Sequence, residues 1–137
     1  MLDFETEFRE IANDDAAAYD FLRAVFEFVH CWDDLFDKDK PVTADLAGLT
    51  LIKLIATLTT NEFYRRHAAP LLQALHAACF GWMASERLKS SDDLQNKVAS
   101  EVLKSSYIEI FFVVAFLVGG TKHQLEMDRK YRGYSFG

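Results

Sequence analysis

Asp14-Asp15-Ala16-Ala17-Ala18-Tyr19-Asp20-Phe21-Leu22-Arg23-Ala24-Val25-Phe26-Glu27-Phe28-Val29-His30-Cys31-Trp32-Asp33-Asp34-Leu35-Phe36-Asp37 is the stretch that decides the fold. Ala18, Leu22, Val25, Val29, Trp32 and Phe36 recur in steps of four and three, a spacing that keeps one face of an α-helix apolar. Phe21, Phe28 and Leu35 form a second stripe that widens the buried face. Neither glycine nor proline interrupts the run, so it reads as one long helix. Asn13 is the expected N-cap, with Asp14 and Asp15 in the first turn, where the helix dipole favours negative charge.

Helical periodicity continues on both sides. Only two prolines and six glycines punctuate 137 residues, which leaves little room for strands. The chain therefore reads as all-α, a single-domain helical bundle of about five to six helices over residues 1–137. Phe4, Phe8 and Ile11 stand at i, i+4 and i+7 and predict a short first helix over 2–11. Asp37-Lys38-Asp39-Lys40-Pro41 ends the long helix, because the residue before proline resists helical geometry. Thr43 caps a third helix to Thr59, and Leu46, Leu49, Ile52, Leu54, Ile55 and Leu58 make it apolar nearly all round, the pattern of a central or interfacial helix. Asn61 caps a short turn to Arg66. Pro70 stands early in a helix reaching Lys89, with Leu72, Leu75, Cys79, Trp82 and Glu86 as its core stripe. Ser90-Ser91-Asp92-Asp93 caps a long helix predicted over 92–117, Gly119-Gly120 ends it, and Thr121 with Gln124 starts a short terminal helix. Residues 133–137 read as a frayed tail.

Half of the residues are hydrophobic, enough for one domain to bury roughly two-thirds of the surface its unfolded chain exposes. The formal net charge is −6, but residues 1–40 hold 12 acids and 4 bases (−8) while the rest hold 9 acids and 11 bases (+2). That distribution speaks against extended nucleic-acid binding. Arg129, Lys130 and Arg132 read as a solvated basic tail. Cys31 and Cys79 lack the close spacing of a zinc site and read as buried free thiols of a reducing compartment. The amino terminus is acidic where a secretory leader is basic, and the apolar run 110–120 is about half a bilayer span. The expectation is a cytoplasmic protein with no membrane association.

The end of the long helix gathers the residues that carry chemistry. His30, Asp33, Asp34 and Asp37 are related by i, i+3, i+4 and i+7 and project from one helical face. Such oxygen ligands suit Mg²⁺ or Mn²⁺, which bind one or two carboxylates, keep several waters and share a substrate phosphate. One helix supplies half a site. Glu109, set among apolar neighbours in Tyr107-Ile108-Glu109-Ile110-Phe111-Phe112, is the first carboxylate expected to face it, with Glu101 and Glu86 as further candidates. Each has a competing reading: Glu109 as a salt-bridge partner of Arg23, Arg65 or Arg66, Glu101 as part of a solvated face with Lys97, and Glu86 as an exposed residue beside Arg87 and Lys89. His30 reads as a ligand or general base, or as a locally hydrogen-bonded histidine. Acids at a helix carboxyl end oppose the dipole and need a compensating cation. A metal, Lys38 with Lys40, or a partner's basic surface would each serve. The sequence has no glycine-rich phosphate loop, no serine nucleophile elbow and no paired-cysteine zinc signature.

Asp33-Asp34-Leu35-Phe36-Asp37 resembles the first aspartate-rich motif, DDxxD, of isoprenyl diphosphate and terpene synthases. That resemblance implies an all-α fold and Mg²⁺-bound diphosphate. Asn96 and Ser100 resemble the start of the family's second metal motif, and Lys104 stands where that motif has an acid. A broader similarity, carried by Trp32-Asp33-Asp34-Leu35, Asp39-Lys40-Pro41-Val42, Asn61-Glu62-Phe63-Tyr64, Ser106-Tyr107 and Gly119-Gly120, is to small all-α proteins encoded by tailed phages. It implies a compact helical domain acting in the bacterial host cytoplasm, and it brings no assigned activity.

Two functions follow from these residues. One is a non-catalytic accessory protein whose acidic helix face binds a basic partner surface. The other is a hydrolase or transferase of phosphate or diphosphate, with the metal held by Asp33, Asp34 and Asp37 and supported by His30 and Glu109. A homodimer is expected in either case, from the nearly all-round apolar third helix and the long helix after residue 92.

Overall fold

A computed structural model of the chain describes residues 4–37 and 41–133, without the side chains of Phe36 and Asp37. Every regular element among the described residues is helical: α1 (Glu5–Ile11), α2 (Ala16–Asp37), α3 (Ala44–Thr60), α4 (Glu62–Arg66), α5 (Ala68–Leu88), α6 (Leu94–Lys104) and α7 (Ile108–Tyr131). The all-α, single-domain expectation holds, with somewhat more helices than the sequence implied. Residues 134–137, most of the expected frayed tail, lie outside the described residues.

Most of the innermost side chains come from three helices, with Leu71 of α5 beside them. Phe8 and Ile11 of α1, Phe21, Leu22 and Val25 of α2, and Ile110, Phe111, Phe112 and Val114 of α7 are almost wholly removed from water. Phe8 packs edge-on to Phe26 and Phe111, with ring centres 5.1 and 5.4 Å away, a geometry that suits the ring quadrupoles. The α2 stripe predicted from Ala18, Leu22 and Val25 is therefore the core seam, while Leu35 of the second stripe is exposed. α7 is the only helix among the described residues long and apolar enough to cross a membrane by length and composition. Its apolar side chains from Ile108 to Ala115 build the core.

Local signals set most boundaries. The Thr43 and Asn61 side chains accept hydrogen bonds from Leu46 N and Tyr64 N, as expected of N-caps. Asn61 also donates to Ala17 O at 2.8 Å, tying the α3/α4 junction to the start of α2. The cap of α2 is Asp15 and not Asn13: Asp15 Oδ1 accepts from Ala18 N at 2.9 Å. Asn13 and Asp14 instead take left-handed conformations, φ 52° and 60°, to turn the chain out of α1, a conformation their short polar side chains tolerate.

The predicted helix over 92–117 is two helices. Ser105 and Ser106 turn their hydroxyls back onto the last carbonyls of α6, Ser106 Oγ reaching Leu103 O at 2.6 Å, which competes with helix continuation. Gly81 of α5 permits this junction to close, since a Cβ there would lie 2.8 Å from Ser106 Oγ. The break expected at Gly119-Gly120 is present as a kink inside α7, with Gly120 at φ 81°, ψ −173°, a region open essentially only to glycine.

The outer helices are less covered. The α5 stripe is rotated from its predicted line: Leu71, Trp82 and Ser85 are buried, while Leu72 is exposed and Cys79 is an exposed free thiol rather than a buried one. α5 and α6 are joined by a buried reciprocal pair in which Ser85 Oγ donates to Ser100 O and Ser100 Oγ to Ser85 O, at 2.9 and 2.8 Å. In α3 only Leu54 is buried, so the helix is peripheral and not central. The backbones of α3 and α5 nowhere approach within 8 Å.

Candidate functional site

Two adjoining grooves result from this arrangement. The first is polar, about 550 Å³, and lies where the end of α2 faces the α6/α7 junction. His30, Asp33, Glu101, Lys104, Ser105, Tyr107, Glu109 and Arg132 line it. Three helices thus bring together four of the residues singled out in the sequence, His30 and Asp33 from α2 with Glu101 and Glu109 opposite. Asp34 is half-buried and outside this lining, and the side chain of Asp37 lies outside the described residues. Glu86 is elsewhere on α5, half-buried rather than exposed, with Lys89 Nζ 2.8 Å away.

Basic residues share the polar groove. Lys104 Nζ stands 3.7 Å from Asp33 Oδ1. The lysine that occupies the acidic position of the resembled second metal motif therefore places an ammonium beside the first. Asn96 and Ser100, the other two residues of that resemblance, are engaged elsewhere: Asn96 donates to Ser91 Oγ and Ser100 bonds Ser85. Glu109 is ion-paired, as its competing reading held, but with Arg132 and not with Arg23, Arg65 or Arg66. Arg132 also grips Asp128, and its guanidinium lies 4.6 Å from the Phe112 ring centre, a cation–π distance. Among the described residues, no group of three or more His, Cys, Asp or Glu side chains is arranged to hold a metal ion.

Of the carboxyl-terminal bases, Lys130 and Arg132 are anchored rather than a solvated tail, while Arg129 is largely exposed as expected. Lys130 Nζ lies 2.6 Å from Glu10 Oε1, which also accepts from Tyr131 at 3.1 Å. The Lys130 hydrogen bond holds the Glu10 carboxyl below its ordinary range against the opposing effect of burial. Arg132 does the same to Asp128. His123 Nε2 lies 3.0 Å from Ile11 O; a carbonyl only accepts, so this nitrogen carries the proton and satisfies a terminal carbonyl of α1. Tyr107 spans both grooves, and burial, with the Asp33 charge second, raises its phenol pKa.

The second groove is apolar and about 700 Å³ in volume. Val25, Val29 and Trp32 of α2 line it, with Leu54 and Leu58 of α3 as one wall and Leu72, His76 and Cys79 of α5 as the other. It is the space between two helices whose backbones stay more than 8 Å apart. Apolar surroundings push the Cys79 thiol pKa up although the residue is exposed, so its reactivity is that of an accessible but weakly ionised thiol. Sequence reasoning assigned Leu72, Leu75 and Cys79 to the core; Leu75 packs against it, while Leu72 and Cys79 are exposed on the groove wall.

No family of known proteins, no curated protein and no solved structure matches this chain.

Proposed function

We propose that this chain is a non-catalytic accessory protein of the tailed-phage type, working in the host cytoplasm by binding another protein surface. The observation that carries this reading is the open apolar groove, whose α3 and α5 walls continue outward as exposed aliphatic side chains. Apolar surface so extensive marks protein contact more often than solvent-facing structure. The acidic end of α2 would then flank the contact as a charged rim and give orientation more than affinity. Pairing of Asp33 with Lys104 and of Glu109 with Arg132 supports this, because both groups already have cations of their own.

A second reading, metal-dependent chemistry at a phosphate or diphosphate, draws on one observation: His30, Asp33, Glu101 and Glu109 line a single groove. In that case Asp33 and Asp34, with Asp37, would hold Mg²⁺ or Mn²⁺, which would neutralise phosphate charge. Assaying inorganic pyrophosphate and nitrophenyl phosphate hydrolysis with each metal tests the choice. The accessory reading expects no turnover above an Asp33→Asn control. Metal-dependent turnover that Asp33→Asn removes would overturn it.

A further inference from the structure

We infer that the apolar groove is the seat of a second copy of this chain, whose α3 lies between α3 and α5 in a two-fold dimer. The inference rests on the binding role proposed above and names its partner. Both walls carry seams spaced for a helix. On α3, Leu58 of the groove lining is continued outside it by Ile55 and Leu51 in steps of three and four, and on α5 the lining residues Leu72, His76 and Cys79 are continued by Met83 in steps of four, three and four, the spacing at which a facing helix interdigitates. All but Leu58 of these seven residues are exposed in the single chain.

The element suited to fill the gap is on the same molecule. α3 turns Leu46, Leu49 and Ile52 outward, the last two 66% and 63% exposed, on a helix with Asp45 and Lys53 as its only charged residues. These side chains cannot enter their own groove, because the same helix already forms its wall. A two-fold axis resolves this, since each copy then supplies both the inserted face and the groove. Eight large apolar side chains on α3 and α5 are 42–66% exposed. With about 200 Å² for a fully exposed large side chain, they offer roughly 850 Å² per copy, against the ~800 Å² per partner of a stable interface.

Light scattering on the purified chain and on Ile52→Glu tests the arrangement, with maleimide labelling of Cys79 as a second readout. Ile52 is exposed, so its replacement leaves the single chain folded, and circular dichroism checks that. The expected result is a wild type of twice the 15.7 kDa chain mass with slow Cys79 labelling, and an Ile52→Glu protein of single mass, unchanged helicity and labelling at least tenfold faster. Leu72→Glu, on the groove wall, should behave as Ile52→Glu does; Val98→Glu, on the exposed stripe of α6, should stay dimeric. A monomeric wild type overturns the inference, as does a monomer carrying bound lipid in native mass spectrometry. So does a dimer whose Cys79 reacts as fast as in Ile52→Glu, or one that only Val98→Glu separates. None of these outcomes restores metal-dependent turnover, so failure of the dimer and failure of the accessory reading remain distinct.

Discussion

Lys104→Glu probes whether the acidic end of α2 is neutralised from within. Lys104 Nζ and Asp33 Oδ1 are 3.7 Å apart, with side chains 36% and 32% exposed. At that distance two unit charges interact by about 1 kcal/mol in water and about 4–5 kcal/mol at an effective dielectric of 20. A third of each group faces solvent, so the lower end applies, and removing the pair with Lys104→Met is expected to cost about 0.5–1 kcal/mol. Lys104→Glu replaces attraction by repulsion at similar range and adds a comparable amount, about 1–2 kcal/mol in all. In a chain of this size that lowers the thermal midpoint by roughly 5 °C. Calorimetry at low ionic strength, where charges interact over about 30 Å, should show Lys104→Glu melting below Lys104→Met. The gap should narrow at 1 M salt, and millimolar Mn²⁺ should narrow it too, because the substitution exchanges the internal ammonium for another carboxylate. Equal midpoints for the two variants at low salt would refute the pairing on which the reading of the polar groove depends.

Three further perturbations test the frame that holds the grooves. Asn61→Ala removes both the α4 cap and the bond to Ala17 O and is expected to cost about 2 kcal/mol by chemical denaturation, with Asn61→Asp, which keeps the cap, costing about half as much. Gly120→Ala meets no neighbouring atom, so a loss of about 1–3 kcal/mol would come from backbone strain alone; an unchanged midpoint would contradict the kink. Because Lys130 holds the folded-state pKa of Glu10 below the ordinary carboxylate range, the stabilisation is complete above that range and is lost as pH falls through the lower folded pKa. Midpoints measured from neutral pH down into this acid range should therefore fall less steeply for Glu10→Gln than for the wild type.

Helix α2 shows how much of the fold was legible in sequence. Its apolar spacing named the core seam through Ala18, Leu22 and Val25, and a period of 3.6 over two dozen residues admits no other regular structure. The caps Thr43 and Asn61 were equally legible, since a side-chain oxygen two or three residues before an unbonded N–H is a local matter. The break between α6 and α7 was not, because it depends on Ser105 and Ser106 meeting the close approach of Gly81 from another helix. Half of the candidate polar site was legible in the same way: the spacing put His30 and Asp33 on one face, and an acid among apolar residues singled out Glu109.

The sequence by itself determined the helical class, the α2 seam and the residues with chemistry to offer, because periodicity and capping are properties of neighbouring positions. Only the tertiary structure decided that Lys104 meets Asp33, that Arg132 returns across 23 residues to Glu109, and that α3 and α5 stand apart over an apolar groove. Those outcomes depend on how whole helices pack. An exposed and a buried apolar stripe look alike until the neighbouring helix is in place.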